Sequence, residues 1–549
     1  MISPLSLCLL LVFVSLTALA APITQRDGNS DCTYWIWNTE IKGQPTEGGA
    51  CRFTVEYGKA ERWGESTINW DWQHSNQTFA ELPPACPQPA GTDQTGFAIS
   101  EECLFATVHI PRSATPLSKL PVFVWIHGGS FTAGSASTPG LDGSKLATKG
   151  NMIVVVLQYR LGVLGFIAPP SAPSWTDPNL GLRDVILGLK VVNQVARFAG
   201  GDAWKVTVGG QSSGASMIRA LWGSPAAKGL FRAAILQSDP MIYGFAQPSI
   251  TAHLRDAFYS EAPLSACSTL DCLRAIPVSE ILTAEDQLTG TAVYNVEGVP
   301  FAEPIRPTYR SVTLPADPTT QLFENPWSLP IQPFDLPLLI TTVKNEGGSA
   351  TQRLFSDPVP MDVATYYAAF AQLIGSDRAK ALQNSATYAL PNQTGFGQDG
   401  DTFREYFERA TTDGTWRCAN RDAAAKWASA GGKVWVGEWT QGVTYPDNGG
   451  QGDYCTTKGR VCHEDDIYPT FGTAPNPSGD TTTLEDSVFS HWSSFINDLD
   501  PNFGWDKVPW KRYYGNQQDI FPLGQGGPVM ICPEGFWGSV AKYDWQLYG

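Results

Sequence analysis

The run Val206-Thr207-Val208-Gly209-Gly210-Gln211-Ser212-Ser213-Gly214-Ala215-Ser216-Met217 constrains this chain more than any other stretch. β-branched residues stop at glycines, one serine follows, a glycine comes two positions later, and helix-compatible residues begin. Gly210-Gln211-Ser212-Ser213-Gly214 therefore reads as a Gly-x-Ser-x-Gly turn from strand into helix, with Ser212 on a strained backbone and its hydroxyl clear of the sheet. Gly210 and Gly214 answer a steric need, because side chains there would collide across so sharp a turn. The helix that follows aims its first amides at the group the serine would attack.

The surrounding pattern is that of an α/β fold with a central, mostly parallel sheet flanked by helices. Short apolar runs at 104–110, 122–126, 153–159, 206–208, 233–237, 336–343 and 434–439 read as strands. Helices are expected at about 179–198, after Ser212, and over 484–497, and 351–430 looks helical with loops. Residues 22–80 read as irregular and rich in packing tryptophans, and the proline-rich 240–335 as an excursion that shapes a site above the sheet.

Residues 1–20 carry no charge, contain an apolar run, and end Ala18-Leu19-Ala20, which predicts a secretory signal followed by one domain over 21–549. Export agrees with the ten cysteines that remain after cleavage, an even number that predicts five disulfides. It also agrees with glycosylation triplets at Asn76 and Asn392. The net charge of −16 argues against nucleic acid and anionic membranes as partners. Oligomeric state is not legible. No metal or organic cofactor is implied, and the acidic turn 447–453 lacks calcium-liganding spacing.

A serine hydroxyl needs a base, and the base needs an orienting acid. Of the six histidines, His463 stands in a loop after the last predicted strand, in Val461-Cys462-His463-Glu464-Asp465-Asp466. Strand 336–343 runs out into Lys344-Asn345-Glu346-Gly347-Gly348, which puts Glu346 at a strand's carboxyl end. The order Ser212, Glu346, His463 is that of an α/β-hydrolase triad. The run Ile126-His127-Gly128-Gly129-Ser130-Phe131 ends a buried strand in glycines, so the amides of Gly129 and Ser130, with that of Ser213, are candidate oxyanion donors.

With these residues in place the chain resembles the type-B carboxylesterase/lipase family, the cholinesterase-like α/β-hydrolases. The resemblance rests also on Ser100-Glu101-Glu102-Cys103-Leu104-Phe105, Gln158-Tyr159-Arg160-Leu161-Gly162-Val163-Leu164-Gly165-Phe166, Phe198-Ala199-Gly200-Gly201-Asp202 and Asn345-Glu346-Gly347. It implies a serine carboxylesterase working through an acyl-enzyme, and a buried Ser238 that supports the acid. It further implies the pairs Cys86–Cys103, Cys267–Cys272 and Cys418–Cys532, leaving Cys32, Cys51, Cys455 and Cys462 for two more bridges between near neighbours. Two departures stand out: Gln211 where the family usually has glutamate, and Ser130 where it usually has a third glycine.

The loop between Cys86 and Cys103 bears on substrate. It is mostly polar, with no tryptophan to face a quaternary ammonium and no apolar helical face to act as a lipase lid. The expectation is an esterase for small or moderately sized soluble esters. The alternatives are a family lipase or sterol esterase, or a non-catalytic cholinesterase-like binding domain.

Overall fold

A computed structural model describes residues 32–36, 39–71, 80–89, 98–173, 176–296, 299, 303–392, 400–450, 452–457, 459–502 and 508–547. The expected signal segment and Asn76 lie outside these residues.

The strands of the main sheet are β1 (Gln44–Pro45), β2 (Ala50–Glu56), β3 (Phe105–Pro111), β4 (Leu120–Ile126), β5 (Ile153–Leu157), β6 (Gly201–Gln211), β7 (Ala233–Gln237), β8 (Leu338–Val343), β9 (Val434–Trp439) and β10 (Phe521–Leu523). They lie in the order β10-β9-β8-β7-β6-β4-β5-β3-β2-β1, one ten-stranded sheet. From β5 across to β10 every pairing is parallel, whereas β1, β2 and β3 pair in antiparallel fashion at the other end. Strands buried on both faces explain the near-continuous apolar runs. Along β4, Val122, Val124 and Ile126 face one core while Phe123 and Trp125 face the other.

The first core is closed by α1 (Leu180–Val195), α2 (Ser213–Trp222), α3 (Val278–Asn295) and α4 (Cys418–Ser429). The second is closed by α5 (Gly479–Asp498), whose Leu484, Val488, Phe489, Trp492, Phe495 and Ile496 are all buried. That spacing of three and four residues is the buried stripe of an amphipathic helix.

Three expectations are corrected. The region before residue 80 is not uniformly irregular: β2 pairs with β3 over seven residue pairs, an association the thin apolar content of Ala50–Glu56 did not announce. The excursion over 240–335 contains the 18-residue helix α3, obscured because its buried face includes a carboxyl, Glu285. Strand β6 is longer than 206–208, beginning at Gly201 and shifting register against β4 before Val206. Of the tryptophans named for packing, Trp63 is buried and donates its indole N–H to Val163 O at 3.2 Å, while Trp35 is exposed.

Candidate active site

The carboxyl end of β6 carries Ser212, which caps α2 with φ 56° and ψ −130°. This backbone is strained for a residue with a side chain. A Cβ on Gly210 would lie 2.7 Å from the Gly214 backbone, and one on Gly214 would lie 2.1 Å from Ile126 O. Neither position tolerates a side chain without moving main chain, which is the physical content of the motif. The turn is tied down by Ser212 N–H donating to Gln237 O at 2.9 Å.

Sequence reasoning missed what ties α2 to the segment after β7. Arg219 and Asp239, both buried, form a two-pronged ion pair with Nε–Oδ2 and Nη2–Oδ1 distances of 3.0 Å. Ser216 Oγ donates to the same carboxylate at 2.7 Å. A charge pair this far from water anchors geometry more than it adds stability.

Glu346 is fully buried. Its Oε1 accepts the Val343 amide at 2.8 Å, and its Oε2 meets His463 Nδ1 at 2.6 Å. Ser238 is also buried, but its Oγ has no hydrogen-bond partner among the described residues; the acid receives its support from the Val343 amide. The acid and histidine loops are zipped by a bridge between Asn345 and Cys462, with Val461 N–H donating to Asn345 Oδ1 at 3.0 Å. Asp465 organises the histidine loop, accepting from the amides of Cys462 and Tyr445 at 2.8 Å each.

Burial opposes charge on His463, but the Glu346 hydrogen bond and carboxylate, with Glu464 and Asp466, outweigh it and raise the imidazole pKa above its ordinary value. Its ring lies 5.2 Å from that of Trp416, on the π-helical turn Thr412–Arg417. No sequence signal distinguished Trp416 from a core residue. Its other ring nitrogen, Nε2, lies 3.2 Å from Gln211 Nε2. Ser212 Oγ itself makes no hydrogen bond among the described residues, so the serine-to-imidazole link of the expected triad is not drawn. A resting site often holds this link open until substrate enters.

The glycine run after β4 faces the serine: a Cβ on Gly128 would lie 3.0 Å from Ser212 Cβ. Gly129, Ser130 and Phe131 have φ of 109°, 52° and 61° in succession, a concave backbone, and Phe131 N–H donates to Ser213 Oγ at 3.2 Å. Three other histidines do different work. His127 is buried and stacks on Tyr159 at 4.6 Å, and burial pushes its pKa down to about 4. His109 is buried beside Asp142, and His491 Nδ1 pairs with Pro501 O at 2.9 Å.

Residues 54–529 match the Carboxylesterase family. The chain belongs to that family. It is 36% identical over 318 residues to the para-nitrobenzyl esterase of Bacillus subtilis, an alignment covering 56% of this chain and 60% of that protein. It is 27% identical to the cAMP-regulated D2 protein of Dictyostelium discoideum across 94% of both chains. Among solved structures, a thermophilic PNB esterase superposes with a TM-score of 0.71 at 27% identity, over 90% of this chain and 97% of that one. The family's α/β-hydrolase fold is the one found here.

All five disulfides are formed: Cys32–Cys51, Cys86–Cys103, Cys267–Cys272, Cys418–Cys532 and Cys455–Cys462. The last immediately precedes His463, and its sulfurs lie against Gly348, where a Cβ would come within 2.3 Å of Cys462 Sγ. Denatured, unreduced protein lacking residues 1–20 should release no thiol to Ellman's reagent. Two or more thiols per chain would break this framework.

Proposed function

We propose that the protein is a secreted serine carboxylesterase that cleaves small or moderately sized soluble esters through an acyl-enzyme. The carrying observation is the short Glu346–His463 hydrogen bond, placed against the residue that precedes the elbow serine. Ser212 Oγ attacks the ester carbonyl and its proton passes to His463 Nε2. The carbonyl electron pair moves onto the oxygen, which the amides of Gly129, Ser130 and Ser213 receive. The imidazolium then gives its proton to the departing alcohol, and water repeats the sequence on the acyl-enzyme. Glu346 holds Nδ1–H throughout, so that in the neutral imidazole it is Nε2 that presents the lone pair.

Export is supported by the five disulfides, and no helix among the described residues is long and apolar enough to cross a membrane. A chain-length series of nitrophenyl esters tests the activity and defines the acyl preference, and a soluble short-chain ester should be turned over without any rise at an oil–water interface. A sharp jump in rate as a triglyceride passes its solubility limit would replace this reading with a lipase.

The pH profile has a definite sign. Activity needs His463 neutral, and its pKa is raised by Glu346 against the opposing effect of burial. kcat/KM should therefore fall as pH drops, with the midpoint of the acid limb above the ordinary histidine value of about 6.5. A midpoint below that value would contradict the assignment of Glu346 as partner.

A further inference from the structure

His463 has one nitrogen committed. Nδ1 lies 2.6 Å from the Glu346 carboxylate, which only accepts, so Nδ1 carries the proton and Nε2 presents a lone pair. That lone pair must take the Ser212 proton, yet the group found against it is the amide nitrogen of Gln211, at 3.2 Å. An amide N–H₂ can only donate. At rest, therefore, Gln211 occupies the nitrogen that Ser212 needs, and Ser212 Oγ makes no hydrogen bond among the described residues. The other end of the same amide, Oε1, is buried without a partner among the described residues. It is held beside the Gly128 backbone, where a Cβ would come within 2.9 Å of it. A buried amide oxygen left unpaired carries a desolvation cost that the resting fold does not recover.

We propose that Gln211 is a positioning residue whose amide turns over during the reaction, donating N–H to the neutral imidazole at rest and offering Oε1 to the imidazolium in the tetrahedral state. The proposal rests on the triad reading above. As Ser212 Oγ bonds to the acyl carbon, its proton moves to His463 Nε2 and the carbonyl π pair moves to oxygen. Nε2 is then a donor, and an amide N–H facing it would repel. A half-turn of the Gln211 amide replaces that repulsion with an acceptor and satisfies the orphaned oxygen. Gln211 itself gains and loses no proton.

The charged groups that act on the ring are Glu346 from the acid loop, Glu464 and Asp466 from its own loop, and Glu303 from the excursion. All are acidic, while the group directly against Nε2 is neutral. A carboxylate in its place could only accept, and would favour the imidazolium, so the imidazole would lose its proton at higher pH.

The test compares Q211E and Q211M with the wild type, measuring kcat and KM against pH on a soluble nitrophenyl ester alongside covalent labelling by a fluorophosphonate. Q211E should move the acid limb of kcat/KM upward by about 1 pH unit, the scale of an added charge in contact. Q211M should keep the wild-type melting curve, KM and label stoichiometry. Its plateau kcat should fall about tenfold, the scale of a hydrogen bond to a charged group, with no upward movement of the acid limb. A Q211E acid limb that coincides with the wild type, or a Q211M plateau kcat equal to it, overturns the proposal while leaving the triad intact. Failure of the wild type to take the label overturns the triad, and the proposal with it.

Discussion

Ser212→Ala is expected to lower kcat by about 10⁶ and to abolish labelling by a fluorophosphonate, with the fold unchanged. On the proposed mechanism, the size of the effect follows from Ser212 Oγ being the atom that bonds to the acyl carbon. What remains afterwards is hydrolysis by water held near the oxyanion amides, typically about 10³–10⁴ above the uncatalysed rate. The melting temperature should stay near the wild-type value, because Ser212 Oγ makes no hydrogen bond among the described residues and alanine inherits the same backbone. His463→Ala should lose activity on the same scale, and the double variant should lose little more than either single one, since the pair acts as a unit. A Ser212→Ala enzyme retaining a few per cent of activity after exhaustive purification would require a different nucleophile.

Glu346→Gln should cost about 10⁴ in kcat, by analogy with acid-to-amide changes in other serine triads. The reason lies in how the carboxyl is held. Oε1 accepts the Val343 amide at 2.8 Å, so a glutamine there would keep its oxygen on that donor and turn its N–H₂ toward His463. Nδ1 would then have to accept, which sends the imidazole proton to Nε2 and removes the lone pair that deprotonates the serine. Loss of the negative charge also removes a cause of the raised imidazole pKa, so any residual activity should show an acid limb at lower pH. Steady-state kinetics across pH, with a melting curve to confirm folding, decides the matter. An activity within tenfold of wild type would mean that Glu346 does not orient the ring.

Much of this protein was legible in local pattern. The parallel strands announced themselves because burial on both faces leaves uninterrupted apolar runs, as in Leu120–Ile126 and Ile153–Leu157. The elbow was legible because only glycine fits where Gly210 and Gly214 pass within touching distance of backbone. Glu346 was legible as a carboxylate placed just past a strand's end. What stayed hidden depends on partners remote in sequence. Strand β2 exists because β3 pairs with it, and α3 buries a carboxyl, Glu285, that no apolar periodicity would include.

By itself, then, the sequence determined the class of fold and the strained serine turn, because those follow from local sterics and strand burial. Tertiary structure alone brought Gln211 and Trp416 against the imidazole. Glu346 arrives on one nitrogen, Gln211 on the other, and Trp416 lies beside the ring. It also paired Arg219 of α2 with Asp239 and left Ser238 without a hydrogen-bond partner among the described residues. Contacts between loops more than a hundred residues apart are fixed by packing geometry at ångström scale, and spacing along a chain carries no record of that.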